Sequence, residues 1–168
     1  YGLIYACAQK NAGPAGVTVV IIRDDLLSRS RKSLPGYLSY QNHAAHDSLY
    51  NTPPTFGIYV VGLIARWLQE EIGGLDAMAR RNEKKAGLLY EVIDQSDGFY
   101  VGHSQREHRS NMNVTFRLPS DDLQTDFLVK AKKRQLCSLE GHRSVGGIRA
   151  SIYNAMPVEG VEQLRDLM

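Results

Sequence analysis

Apolar residues near the start of the chain predict two strands joined by a turn. Residues 1–8 are mostly apolar, and residues 17–22 are rich in β-branched side chains. Between them lies Gly13-Pro14-Ala15-Gly16, a glycine and proline cluster that is typical of a turn. The pattern therefore predicts strands over residues 1–9 and 17–23, and it places Lys10 where the first strand ends.

Two helices are predicted after a polar stretch at residues 35–52, which we interpret as a loop. Thr52 before Pro53 indicates a helix start, because a hydroxyl can cap the first turn and a proline loses no hydrogen bond there. The helix has one apolar face, made of Phe56, Tyr59, Val60, Leu63, Ile64, Trp67 and Leu68. A second helix is predicted from about residue 75 to residue 95. Its exposed face is expected to carry Arg80, Arg81, Glu83, Lys84 and Lys85.

The remainder of the chain alternates between strand and helix patterns. Strands are predicted at residues 99–101, 112–118 and 148–152, and helices at residues 121–134 and from residue 157 onward. Strands interleaved with helices favour an α/β or α+β fold. A boundary near residues 70 to 75 divides the chain into two predicted domains, residues 1–72 and 73–168.

Composition narrows the class of protein without defining a function. The chain has 168 residues, of which 43% are hydrophobic and 23% charged, as in an ordinary globular protein. Its net charge of +2 comes from scattered residues, so no nucleic-acid-binding surface is expected. Cys7 and Cys137 lack metal-ligand spacing, which favours a reducing compartment and no metal site. No apolar run approaches the roughly 20 residues of a membrane span, so we expect a cytoplasmic protein without membrane partners.

Lys10 is the first candidate for chemistry. Burial at a strand end would disfavour its ammonium form and free the amine to react with a carbonyl group. The competing interpretation is an ordinary solvated surface lysine. Asn51 and Thr52 precede a predicted helix, whose free N–H groups could bind a phosphate, although a plain helix cap explains them equally well.

His142, Arg143 and Arg149 form a second candidate group. Guanidinium groups bind carboxylates and phosphates in a planar fork, and a histidine adds a further donor. Arg149 lies on a predicted alternating strand, on the face opposite its apolar neighbours. Surface arginines with no ligand remain the alternative. His43 and His46 are interpreted as structural, since no further ligand completes a metal site near them.

Three segments of the chain resemble segments of the phosphoserine aminotransferase family, in the same order. They are residues 8–16 (AQKNAGPAG), 50–55 (YNTPPT) and 141–155 (GHRSVGGIRASIYNA). The resemblance implies the C-terminal part of a fold type I transferase that depends on pyridoxal phosphate. Residues 1–72 would then be the end of the large cofactor domain with its interdomain helix, and residues 73–168 the small C-terminal α+β domain.

The same resemblance implies a role for each candidate residue. Lys10 is the expected catalytic residue, covalently linked to pyridoxal phosphate. The expected cofactor-binding residues are Gln9, Lys10, Asn51 and Thr52. Asn51 and Thr52 would reach the cofactor phosphate of a neighbouring subunit, which implies a homodimer. Arg149 would hold the substrate α-carboxylate, and His142 with Arg143 would hold its distal phosphate or carboxylate.

The implied reaction transfers an amino group from L-glutamate to 3-phosphohydroxypyruvate in serine biosynthesis. Some members of the family also act in pyridoxine biosynthesis. The similarity covers only the C-terminal half of the family's usual length, and the chain begins inside a predicted strand, so we expect a fragment that is inactive alone. Two alternatives stay open: another fold type I pyridoxal phosphate enzyme such as a desulfurase, and a noncatalytic anion-binding or dimerisation module.

Overall fold

The computed structural model describes all 168 residues and divides into two compact units. The N-terminal unit comprises Tyr1–Glu71 and the C-terminal unit Ile72–Met168. No helix combines the length and apolar character needed to cross a membrane. The assignment of residues 1–72 and 73–168 to a cofactor domain and a small domain stays a prediction.

The N-terminal unit begins with a hairpin, which confirms the two predicted strands. β1 (Leu3–Cys7) pairs antiparallel with β2 (Thr18–Ile22). Three helices follow: α1 (Asp24–Leu27), α2 (Tyr40–Ala45) and α3 (Thr55–Glu70), with one 3₁₀ turn at Gly36–Leu38. The long helix α3 thus covers all the apolar positions that its periodicity predicted.

The predicted loop at residues 35–52 is wrong in part, because it contains α2. The Ser39 hydroxyl accepts a hydrogen bond from the Asn42 N–H and caps this helix. The His43 ring contacts the Tyr37 carbonyl at 2.7 Å, and the His46 ring contacts the Asn42 carbonyl at 2.8 Å. None of the six helical residues is buried, so α2 has no apolar face that its sequence could reveal.

The start of α3 also differs from the prediction. The helix begins at Thr55, its N-cap position is Pro54, and no side chain caps it. Thr52 therefore lies outside the helix. The physical reason is the second proline, because the residue before a proline is pushed out of the helical conformation, and Pro53 precedes Pro54.

The predicted apolar face of α3 is not covered within the N-terminal unit. Phe56 is 76% exposed and Tyr59 62% exposed, and in the hairpin Tyr5 is 70% exposed. Only Ala8, Val17 and two glycines of this unit are buried. Periodicity identified the helix correctly, but within residues 1–71 no second layer packs over its large side chains.

The C-terminal unit is an α+β domain built on an antiparallel sheet. Its elements are α4 (Leu75–Gln95), β3 (Val101–Gly102), β4 (Asn113–Arg117), α5 (Asp121–Lys133), β5 (Glu140–His142), β6 (Gly146–Ser151) and α6 (Val158–Arg165). The strand order in the sheet is β3-β4-β6-β5. A 3₁₀ turn at Arg106–His108 lies between β3 and β4.

The core of this unit lies between the helices and one face of the sheet. Its members include Leu89, Tyr100, Phe116, Phe127 and Ile148, all buried. Along β4 and β6, buried apolar residues alternate with more exposed polar ones. Because residues paired across strands share a face, the polar residues of β4 and β6 meet on the other side of the sheet.

Lys85 contradicts the prediction that it lies on the exposed face of the second helix. It is 0% exposed, and its Nζ donates hydrogen bonds to the carbonyls of Ile152 at 3.0 Å, Tyr153 at 2.7 Å and Met156 at 3.1 Å. Position 85 follows Met78 by seven residues and precedes Leu89 by four, so helix geometry turns it inward. The prediction was wrong because it relied on the charge of lysine, although the helical spacing from Met78 and Leu89 places position 85 on the buried face.

Candidate functional site

Lys10 lies in the turn that follows β1, as the sequence predicted. Its backbone N–H donates to the Ala8 carbonyl, which tightens the chain at this point. The side chain is exposed, so the expectation of a buried amine is wrong for this structure. The reason is that β1 and β2 form a two-stranded sheet, and no other part of residues 1–71 covers the Lys10 side chain. A solvent-accessible amine remains open to a carbonyl ligand.

Two glycines dock the turn after Lys10 onto helix α3. Gly13 is buried with a φ of +154°, and a Cβ added there would lie 2.7 Å from Cγ2 of Val61. A Cβ added at Gly57 would lie 2.7 Å from Cγ2 of Val17. Both contacts are shorter than side-chain packing tolerates, so a side chain at either glycine would displace the valine that the turn and the first two turns of α3 pack against.

Asn51 and Thr52 lie side by side in the chain that leads into α3. Both are exposed, and the Asn51 Nδ2 donates to the Thr52 carbonyl at 3.1 Å. They do not cap the helix, so the predicted phosphate site at a capped helix start is wrong in that detail. No hydrogen bond joins either residue to Gln9 or Lys10. The second N–H of the Asn51 amide and the Thr52 hydroxyl nevertheless remain exposed donors for an anion.

His142 and Arg143 lie on the hairpin between β5 and β6. The Val145 N–H donates to the His142 carbonyl at 2.9 Å, and the His142 Nδ1 lies 2.8 Å from the Ser144 Oγ. Both predicted site residues are exposed. Gly146 and Gly147 have φ angles of +72° and +77°, a region in which glycine is favoured. The glycine pair thus makes the turn that presents His142 and Arg143.

Arg149 lies on β6, on the polar face of the sheet, as strand alternation predicted. It is paired with Thr115 of β4, and the His103 N–H donates to the Thr115 carbonyl at 3.3 Å. The Arg149 Nε is buried and has no hydrogen-bond partner. A buried donor without a partner is costly, which makes this guanidinium a ready hydrogen-bond donor for an anionic ligand.

A cavity of about 130 Å³ brings Arg149 together with His142. Arg117 and His103 also line it, and none of its lining residues is a carboxylate. A larger, open cavity of about 710 Å³ joins His142, Arg143 and Arg149 beside Glu140. The C-terminal unit therefore collects the three predicted anion-binding residues around adjoining cavities, where positive charges outnumber negative ones.

Sequence reasoning missed two of the residues that line the smaller cavity. They are His103 and Arg117, and neither is among the candidates that the sequence predicts. The alternation did put Arg117 on the polar face of β4. The missing information was the strand order, which places β3 and β6 on either side of β4 and so brings these side chains to Arg149.

Comparison with known families agrees with this arrangement. The model of the family described as "Aminotransferase class-V" matches residues 2–164. The chain belongs to the class-V aminotransferases. This result confirms the family resemblance of the three segments.

Individual relatives of this class-V aminotransferase align with its whole sequence. It is 60% identical over 168 residues to a phosphoserine aminotransferase of Rhodopirellula baltica, with 100% of this chain and 45% of that relative covered. It is 55% identical over the same length to a phosphoserine aminotransferase of Herpetosiphon aurantiacus, of which it covers 46%. The chain thus spans about half the length of the curated relatives it matches.

Solved structures give the same result for the fold. The phosphoserine aminotransferase of Bacillus circulans subsp. alkalophilus superimposes with a TM-score of 0.95 and 51% identity, over 99% of this chain and 46% of that one. A pyridoxal-phosphate-bound phosphoserine aminotransferase of Trichomonas vaginalis superimposes with a TM-score of 0.91 and 43% identity, over 99% and 47%. The predicted fold class, part of a fold type I aminotransferase, is confirmed.

Proposed function

We propose that this chain is the C-terminal half of a cytoplasmic, pyridoxal-phosphate-dependent phosphoserine aminotransferase. The proposed reaction converts 3-phosphohydroxypyruvate and L-glutamate into O-phospho-L-serine and 2-oxoglutarate. The observation that carries the proposal is the cationic group of His142, Arg143 and Arg149, in a chain 60% identical to a named phosphoserine aminotransferase. A substrate with two anionic ends requires such a group.

The residues of the N-terminal unit fit pyridoxal phosphate. Lys10 offers an exposed primary amine, the group that forms a covalent bond with an aldehyde. Asn51 and Thr52 offer an exposed amide and hydroxyl, which suit a phosphate, and Gln9 lies beside Lys10. When bound, the cofactor supplies an electron sink for the electrons of the α-carbon.

Lys10 has two proposed tasks in this reaction. Its Nζ anchors the cofactor in the resting enzyme, and once released it carries the proton that leaves the substrate α-carbon. A residue with both tasks cannot be replaced by alanine without loss of turnover. Solvent access in the N-terminal unit leaves the amine free to exchange partners.

The C-terminal unit provides the proposed substrate contacts. Arg149 binds the α-carboxylate that every amino-acid substrate carries, using the guanidinium whose Nε has no partner within the chain. His142 and Arg143 bind the distal phosphate or carboxylate. Because Asn51, Thr52, His142 and Arg143 are all exposed, we further propose a homodimer in which they contact ligands of the neighbouring subunit.

The test is transamination by the longer protein that carries this sequence. With pyridoxal phosphate it should show an absorbance band at about 410 to 430 nm, produced by the cofactor bound to lysine. It should also form phosphoserine from 3-phosphohydroxypyruvate and glutamate. Lys10→Ala should abolish both, while Lys84→Ala, a change at an exposed lysine of α4, should abolish neither. Turnover by the Lys10→Ala enzyme would contradict the proposal, and the 168-residue chain alone should be inactive.

A further inference from the structure

We propose that Arg117 is a positioning residue that holds the His142–Arg143 turn in place for the distal anion of the substrate. The proposal rests on the proposed function of that turn. Arg117 lies at the end of β4, outside the hairpin that carries His142 and Arg143. Its Nη2 donates a hydrogen bond of 2.5 Å to the carbonyl of Val145.

The turn needs a support from outside because its own side-chain bonds are local. The His142 Nδ1 contacts the Ser144 hydroxyl at 2.8 Å and accepts from the Ser144 N–H at 3.3 Å. These contacts fold the turn on itself without fixing it to the remainder of the sheet. The bond from Arg117 to Val145 joins the turn to β4, the strand on the far side of β6.

The absence of a side chain at Gly147 leaves room for the aliphatic part of the Arg117 side chain. A Cβ added at Gly147 would lie 3.1 Å from Cγ of Arg117 and 2.8 Å from the carbonyl oxygen of Phe116. A side chain at position 147 would therefore push β4 and the Arg117 stem away from β6. The bare glycine lets Arg117 lie across β6 and reach Val145 with a defined direction.

The charge of Arg117 is not neutralised by an acidic partner. It forms no ion pair, and the cavity that it lines with His142 and Arg149 has no carboxylate. A guanidinium keeps its charge at all physiological pH values, so Arg117 also adds to the positive potential around the turn. An experiment must therefore separate the effect of the hydrogen bond from Arg117 to Val145 from the effect of the Arg117 charge.

The experiment uses the longer holoenzyme with four variants. Arg117→Met removes the donor and retains an apolar stem, whereas Arg117→Lys retains the charge. Gly147→Ala retains every charge, displaces the Arg117 stem and also strains the backbone at a φ of +77°. Arg80→Met, at an exposed position of α4, is the matched control. Apparent Kd values for L-phosphoserine and L-alanine are measured from the change in cofactor absorbance, together with kcat and hydrogen exchange of residues 140–147.

We expect Arg117→Met and Gly147→Ala to weaken L-phosphoserine binding about tenfold, the effect of losing one charged hydrogen bond, and to leave L-alanine within twofold. Deuterium uptake by residues 140–147 should rise in both variants, and Arg117→Lys should retain part of the affinity. Arg80→Met should change neither quantity.

Three results would overturn the proposal. They are equal losses for L-phosphoserine and L-alanine, unchanged hydrogen exchange in Arg117→Met, and parental phosphoserine affinity in Gly147→Ala, which would mean that charge alone matters. Failure of the proposed function has a different result, because the unsubstituted enzyme would then not bind phosphoserine. The hydrogen exchange of residues 140–147 would still test whether the bond from Arg117 to Val145 holds the turn.

Discussion

Replacing Lys85 tests the least expected feature of the C-terminal unit, a buried lysine without a carboxylate partner. Burial, and after it the charge of Arg81, lower the pKa of Lys85 from 10.5 to about 8. The three carbonyls that accept from its Nζ favour the ammonium form but do not outweigh these effects. The folded state therefore holds this proton less tightly than the unfolded chain does.

The pH dependence of stability follows from this difference in pKa. Below the folded pKa both states are protonated, and the desolvation cost is present in full. As pH rises from about 8 toward 10.5, the folded state releases the proton first, so the free energy of unfolding increases. Between about pH 7 and about pH 9.5 the gain amounts to about 2 kcal/mol, at about 1.4 kcal/mol for each pKa unit. Burial also raises the pKa of Tyr100, and tyrosine titration limits the window on the alkaline side.

The assay is urea unfolding of the 168-residue chain at several pH values, followed by near-UV circular dichroism. This signal reports Tyr100, which packs edge to face against Phe116 with ring centroids 5.3 Å apart. The unsubstituted chain and Lys84→Met, a control at the exposed neighbouring position, should gain stability with pH. Lys85→Met should lack the gain, and it should lose about 1 to 3 kcal/mol at pH 9 because buried carbonyls are left without a donor. Parallel pH profiles for Lys85→Met and the unsubstituted chain would refute the reasoning.

Three further predictions concern packing, an ion pair and substrate choice. Gly57→Ala should destabilise the N-terminal unit by about 1 to 3 kcal/mol in urea unfolding, because its Cβ would overlap Val17. Asp94→Asn should lower the free energy of unfolding by about 1 kcal/mol near pH 7, because it removes a bidentate contact to Arg109 at 2.6 and 2.8 Å. At a pH below the lowered pKa of Asp94 the substitution should have little effect on that free energy. Arg149→Ala should weaken all amino-acid substrates, whereas Arg143→Ala should raise KM for phosphoserine more than for alanine; equal effects would contradict the assigned roles.

Regular elements with a strong periodic pattern could be predicted from the sequence. The pattern of residues 112–118 predicted β4, and that of residues 121–134 predicted α5, which the Ser120 hydroxyl caps by accepting from the Leu123 N–H at 3.3 Å. Two elements that lack both buried residues and an apolar pattern could not be predicted. Both α2 and the edge strand β5, whose three residues lack apolar alternation, depend on local hydrogen bonds and on their neighbours.

The candidate site shows the same division between local and long-range information. Short segments made Lys10, His142, Arg143 and Arg149 candidates, since each lies at a glycine-rich turn or on an alternating strand, and the family resemblance gave each its expected role. The contribution of Arg117 depends on which strands are neighbours, and that order is fixed by packing across the whole sheet. The exposure of Lys10 likewise depends on which distant residues pack against its side chain, and a local sequence pattern does not predict that.

The most direct test of the account is to locate the cofactor on the chain. The longer protein is loaded with pyridoxal phosphate, reduced with sodium borohydride to make the lysine bond permanent, digested, and analysed by peptide mass spectrometry. The account predicts that the added mass lies on the peptide containing Lys10. Cofactor found on a different lysine, or no modified peptide despite full loading, would contradict it.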